Sequence, residues 1–420
     1  MKVGADHAQP DDEPAAEWDE TVLVWNATVA RIPATAVRPD SADDATSAAA
    51  GKATPDRGAT GGGGRPFRQA AGLGGSRAGV DIEEATMNRQ LDVEARRRRA
   101  AEEALPSRQG RARTKQTHSD DVRRWYERAL AGASVRGRTV EERGGGRVHL
   151  LEKGAGPPVV LVHGSGVAAG FFLPLLKELE GVRALAPDLP GSGLSDPIDR
   201  PQHRHKETTV AWLDRLLDAL DLDTTVLLGH SAGGVWALRY ALAHPERVKR
   251  LVLIGPPALP KTRCPLPYRL MATPGVGALL SRVPPSPKSV LRFAEFMGER
   301  ATLAAHPDLV DLFVVAGQDP LAVSALRAEV RELVSPFALL TPSGFRHRSR
   351  VRPDEVRRLA MPTLLIWGER EPLGSVSVAQ AVTELIPRGR LQVLPTGHGP
   401  WLGQPAQTAA IVVDFVRGST

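Results

Sequence analysis

The segment Gly229-His230-Ser231-Ala232-Gly233 sets a serine between two glycines in the pattern G-x-S-x-G. An apolar run at 226–228 precedes it, and a helical pattern over 233–243 follows. On so sharp a strand-to-helix turn the serine backbone is strained and the hydroxyl stands clear of the sheet. Small residues two before and two after it avoid clashes. The helix that follows points its free N-terminal amides at the serine, a setting that stabilises an oxyanion. Ser231 is the candidate nucleophile and the Ala232 amide the first candidate oxyanion donor. The plain alternative is a Gly/Ser turn without chemistry, and the strand–helix placement argues against it.

Two further segments complete a possible acyl-transfer site. His163-Gly164-Ser165-Gly166 directly follows the apolar run Pro158–Val162, and the Ser165 backbone amide is the second candidate oxyanion donor. His163 reads as a residue that orders this loop. Gly397-His398-Gly399 lies late in the chain, after an apolar run at 390–394, which suits a general base in the order serine, acid, histidine. Of the eleven histidines, His398 alone has this placement. The acid must lie between Ser231 and His398 at a strand end. The run 363–367 leads into Gly368-Glu369-Arg370-Glu371-Pro372, so the acid is Glu371 or, second, Glu369.

These residues need a scaffold that brings strand ends together. Short apolar runs at 158–162, 184–186, 226–228, 251–254, 363–367 and 390–394 alternate with helical patterns at 171–179, 208–220, 233–243 and 408–416. Such alternation predicts an α/β fold with a mostly parallel central sheet flanked by helices. A hairpin over 138–142 and 147–152, turning at Gly144-Gly145-Gly146, is expected ahead of it. Residues 256–356 lack a buried strand but carry helical patches, and read as a mostly helical cap or lid. The expected division is an extension over 1–118, core at 119–255, cap at 256–356 and core again at 357–420.

Together these features resemble the α/β-hydrolase superfamily over residues 135–418. The resemblance extends to Asp188-Leu189-Pro190-Gly191-Ser192-Gly193-Leu194-Ser195-Asp196, a turn in which the aspartate is structural, and to Trp367-Gly368. In relatives the acid usually stands three residues after that glycine as Asp, where this chain has Glu371. The resemblance implies a serine hydrolase with a Ser231–His398–Glu371 triad, an acyl-enzyme, and no metal or organic cofactor. Serine at the nucleophile position argues against dehalogenase or epoxide-hydrolase chemistry. Phe171 and Phe172 after the oxyanion loop, Phe293, Met297 and Phe313 in the cap, and Trp401 after the base are candidates to line an apolar pocket. An acyl ester and a carbon–carbon bond in a diketone-like substrate both suit it. A non-catalytic ligand-binding protein on the same fold is the alternative.

Composition sets the remaining bounds. Lys+Arg (54) and Asp+Glu (48) nearly balance, with the visible excess in one Arg-rich stretch, so no nucleic-acid partner is expected. Residues 40–80 are too poor in apolar side chains to offset chain entropy, and an extension without fixed structure is expected there. Binding of that extension to an acidic partner is the other reading. Strand character at 21–25 and a polar helix over 82–104 are local exceptions. The single cysteine, Cys264, excludes an intrachain disulfide. The acidic start lacks an apolar signal segment, and no run of about 18 apolar residues occurs. A cytoplasmic protein without a membrane span, acting on a small molecule, is the expectation; oligomeric state is left open.

Overall fold

The computed structural model describes residues 118–199, 205–280 and 282–418. The expected extension up to residue 117, with the strand character at 21–25 and the polar helix over 82–104, lies outside the described residues. Strands β1 (Arg136–Glu141) and β2 (Arg147–Lys153) pair antiparallel as the expected hairpin, with Leu150 opposite Arg138. They are followed by β3 (Pro158–Val162), β4 (Arg183–Pro187), β5 (Thr225–His230), β6 (Val248–Ile254), β7 (Thr363–Gly368) and β8 (Gly389–Leu394). All eight form one sheet in the order β1-β2-β4-β3-β5-β6-β7-β8. Only β2 breaks the parallel run, lying antiparallel to both β1 and β4.

The period-2 geometry of strands divides the core in two. Leu150, Val160, Leu227, Leu253 and Leu365 face one side, packed with Trp212, Leu216 and Trp236. Their neighbours Leu151, Leu161, Leu228, Val252 and Leu364 face the other, packed with Trp125, Phe172, Trp401 and Phe415. A sheet covered on both faces needs strands that are apolar throughout, which is why β3, β5 and β7 carry almost no polar side chain.

Helices α1 (Asp120–Leu130), α2 (Leu173–Glu178), α3 (His205–Ala219) and α4 (Ala232–Ala243) belong to the first half of the fold. The helical segment expected at 171–179 is split into a 3-10 turn, Ala169–Phe172, and α2. Between β6 and β7 the described chain is helical: α5 (Leu266–Ala272), α6 (Val276–Leu280), α7 (Pro287–Phe296), α8 (Arg300–Ala304), α9 (Pro307–Gln318), α10 (Pro320–Leu333) and α11 (Pro353–Val356). Then come α12 (Val376–Thr383), α13 (Pro400–Gly403) and α14 (Pro405–Arg417). Among the described residues no single helix is long and apolar enough to cross a membrane.

The topology decides where a ligand can sit. After β3 the chain moves to one side to make β4, then returns to the other side to make β5. The loops leaving the C-terminal ends of β3 and β5 therefore diverge and leave a crevice at this switch point. Those two loops carry His163–Gly166 and Ser231.

Helix α1 straps the helical insertion to this core. Trp125 is buried and its indole N–H donates to the Asp308 carbonyl in α9 at 2.7 Å. His118 places Nδ1 3.2 Å from Asp319 and Nε2 2.8 Å from the Ser195 carbonyl, so one imidazole spans insertion and core. Tyr126 donates to Asp188 at 2.5 Å.

Asp188 is fully buried and also accepts from His149 Nδ1 (2.8 Å) and from the amides of Ala169 (2.7 Å) and Leu194 (3.0 Å). Burial alone pushes its carboxyl up, but the bonds and charge of His149, the charge of His163 and the Tyr126 bond outweigh burial and hold it below the ordinary range. A depressed carboxyl stabilises the fold above its ordinary pKa of about 3.9, and that contribution is lost as pH falls through the lower folded value. Asp188→Ala should cost about 3–5 kcal/mol at neutral pH, because it strips the acceptor from four buried donors. Urea midpoints across pH check this, and the gap to wild type is expected to narrow towards pH 3.

Candidate active site

The serine turn is strained as its sequence requires. Ser231 stands at φ 52°, ψ −126° as the residue capping α4, a region that non-glycine residues rarely occupy. Its own amide donates to the Ile254 carbonyl at 2.9 Å, tying the turn to the end of β6. The Gly234 amide donates to the Ser231 carbonyl at 2.8 Å, tying it to the helix. Gly233 is a matter of close approach: a Cβ there would fall 2.2 Å from the Val162 carbonyl oxygen and 2.4 Å from that of His163. Only glycine lets the serine turn sit against the end of β3.

That approach brings the two candidate oxyanion donors to the serine. Ala232 opens α4, where helical amides have no intrahelical acceptor. Ser165 faces the same cavities as Ser231. His163 is buried and fixes the intervening loop: its Nδ1 lies 2.8 Å from the Gly164 carbonyl, and its Nε2 accepts from the Leu189 amide at 2.9 Å.

His398 sits between β8 and α13 with Nδ1 2.8 and 2.9 Å from the two carboxylate oxygens of Glu371. An acceptor carboxylate demands the proton on Nδ1, which leaves Nε2 with a lone pair. Both side chains are buried, whereas Glu369 is exposed. Of the two carboxylates offered by the sequence, the structure brings Glu371 to the imidazole.

Two apolar cavities meet at this point, and Ser165, Ser231, Tyr268, Met297 and His398 line both. The first extends among Cys264, Val330, Val334 and Phe345. The second extends among Phe171, Phe293, Leu303 and Phe313. Phe171, Phe293 and Met297 thus stand where the sequence placed them. Phe172 and Trp401 do not line either cavity. Both are wholly buried one layer behind, with ring centres 5.0 Å apart, and the Trp401 indole donates to the Phe171 carbonyl at 2.8 Å. They back the wall that Phe171 forms, because adjacent residues of a 3-10 turn face different ways.

Three residues at the site escaped the sequence reading. Glu299 lines the second cavity and is its only Asp, Glu, Lys or Arg; among the described residues the first cavity has none. His230 lies beside His398, ring centres 4.7 Å apart, and its Nε2 stands 3.1 Å from the His398 carbonyl. Burial, then the nearby charge of His398, holds His230 well below the usual histidine range, so it stays neutral. Gly255, at φ 50°, leaves room for the acid–base pair: a Cβ would fall 2.6 Å from Glu371 Oε2 and 2.8 Å from His398 Nδ1.

Comparison with known proteins fits this geometry. A family signature described as alpha/beta hydrolase fold matches residues 157–276. The pimeloyl-[acyl-carrier protein] methyl ester esterase of Aromatoleum aromaticum is 32% identical over 269 residues, which cover 62% of this chain and 99% of the esterase. The chain belongs to the α/β-hydrolase family. The hydrolase is also 30% identical to the 2-hydroxy-6-oxononadienedioate/2-hydroxy-6-oxononatrienedioate hydrolase of Cupriavidus pinatubonensis, over 64% of this chain and 90% of the relative. Among solved structures, a Bacillus subtilis carboxylesterase shares the fold, with a TM-score of 0.56 at 22% identity over 72% of this chain and all of that one.

The space at Gly255 gives a direct test of the pair. A carboxylate-bound Nδ1 proton of His398 is expected as a low-field resonance in the proton NMR spectrum of the wild-type hydrolase. Gly255→Ala should abolish it, since the added methyl lies within van der Waals distance of both partners. Survival of the resonance in that variant would contradict the geometry.

Proposed function

We propose that the protein is a serine esterase acting on small neutral esters with apolar groups on both sides of the scissile bond. The observation that carries this reading is the convergence of Ser231, at its strained turn, and the Glu371-bound His398 on the junction of two apolar cavities. His398 Nε2 takes the Ser231 proton as Oγ attacks the ester carbonyl, and Glu371 holds the ring and supports the imidazolium. The amides of Ala232 and Ser165 receive the oxyanion. His398 then returns the proton to the leaving alcohol, and water repeats the sequence on the acyl-enzyme. In this reading residues 256–356 act as a cap that supplies the far walls of both cavities, with Cys264 and Phe345 on one side, Phe293 and Phe313 on the other, and Tyr268 facing both.

The charge of the lining favours a neutral ester over an anionic substrate. Hydrolases similar to this chain are named for dienoate and dienedioate substrates, whose carboxylates call for a cationic partner. Among the described residues no Lys or Arg lines either cavity, and Glu299 adds a negative charge. A carboxylate brought into that space would be desolvated without compensation.

A fluorescent fluorophosphonate should label the wild-type protein and fail on Ser231→Ala and His398→Ala. Hydrolysis of 4-nitrophenyl butyrate should fall about 10⁴-fold or more in either variant. A 2-hydroxy-6-oxo-dienoate should be turned over far more slowly than the neutral ester. Labelling with the reverse preference would leave the serine mechanism standing and replace the ester by a carbon–carbon bond. A folded wild type that does not label would remove the hydrolytic reading altogether.

A further inference from the structure

Three consecutive backbone amides of the segment that carries His398 end on one short stretch of the helical insertion. The Gly397 amide donates to Glu299 Oε1 at 2.8 Å, the His398 amide to the Met297 carbonyl at 3.0 Å, and the Gly399 amide to the same Glu299 oxygen at 3.0 Å. The other carboxylate oxygen of Glu299 accepts from the Thr302 hydroxyl. Glu299 is 3% exposed, with no cation among its hydrogen-bond partners. A carboxylate withdrawn from water in this way is unfavourable unless its bonds are made. Burial raises it above the ordinary carboxylate range, against the pull of Thr302, Gly399 and Gly397. Glu371 already serves the imidazole ring. The bonds of Glu299 go to the backbone on either side of it.

We infer that Glu299 is a positioning residue for His398, fixing from the insertion the backbone that carries the imidazole. This rests on the reading of Ser231, His398 and Glu371 as a triad. It makes the insertion part of the catalytic apparatus as well as a wall of the pocket. Without the carboxylate, the Gly397 and Gly399 amides lose their acceptor, and flanking glycines offer little resistance to drift. A displacement of the base on the order of 1 Å costs roughly 10²-fold in rate. Because the bonds are to backbone amides, the required property is a correctly placed oxygen and not the charge. Glutamine supplies one: its carbonyl oxygen can accept both glycine amides. Its amide nitrogen can donate to Thr302 Oγ1, whose proton is then released to turn to the Glu299 main-chain carbonyl 3.0 Å away.

The test compares Glu299→Leu and Glu299→Gln with wild type, as full-length protein, by kcat and KM on 4-nitrophenyl butyrate and by the rate of fluorophosphonate labelling. The leucine variant is expected to lose roughly 10²-fold in kcat, with labelling slowed in step and KM changed far less. The glutamine variant should stay within a few-fold of wild type. Should the leucine variant fail to fold, Glu299→Asp takes its place, since a carboxylate one methylene shorter cannot hold both amides, and the same loss of kcat is expected. A leucine or aspartate variant that labels and turns over like wild type would overturn the inference while leaving the triad intact. A glutamine variant as impaired as leucine would overturn it too, by showing that the charge is what matters. Wild type that neither labels nor turns over would instead bring down the triad reading, and this inference with it.

Discussion

The backbone of Ser231 is held in a conformation it would not keep alone, and the surrounding structure is arranged to keep it there. A non-glycine residue at positive φ costs on the order of 1–3 kcal/mol and persists only where its neighbours over-determine it. Here the neighbours are the end of β6, which accepts the serine amide, the first turn of α4, which donates to its carbonyl, and the end of β3, pressed against Gly233. The two strands lie in the middle of a sheet buried on both faces, and α4 packs against that sheet. The apolar strands thus serve the chemistry by being too rigid to let the turn relax.

Buried carboxylates repeat that logic at the next level. Asp188 gathers Tyr126, His149 and two amides, Glu371 holds the imidazole, and Glu299 holds the backbone around it. None of the three relies on a Lys or Arg among these partners. Each satisfies its lone pairs with phenol, hydroxyl, imidazole or amide donors, which are shorter and stiffer than a lysine or arginine chain. The result is a site whose polar groups are placed by short, directional bonds within an otherwise apolar space.

The parts of this arrangement that were readable in the sequence are those written in one place. The serine turn, the His163–Gly166 loop and the His398 loop each follow a short apolar run, so strand-end position and chemistry can be read together. Glu371 was legible because β7 leads straight into it. Glu299 was not: in Gly298-Glu299-Arg300 it reads as a solvated charge, and its burial depends on amides 98 and 100 residues away. His118 depends on partners 201 and 77 residues away and sits at the edge of a segment with no apolar pattern. Gly255 gave no signal in the sequence, since its contribution is the absence of a side chain. Phe172 and Trp401 show the limit from the other side, since proximity in sequence to a catalytic group does not say which way a ring points.

The strap formed by α1 has a bearing on traffic. The insertion is fastened through Trp125 to Asp308 and through His118 to Asp319, and separately its Met297–Glu299 stretch is fastened to the His398 loop. A body pinned at two separated points cannot swing about a hinge without breaking one of them. Phe293, Phe313 and Tyr268, packed edge-on to neighbouring rings, then set the width of the space around the serine, rather than the position of the insertion as a whole. Selection then falls on how readily a guest's cross-section passes those rings as well as on how well it fits once inside. Slender flexible molecules would outpace rigid bulky ones even where the bond to be cut is the same.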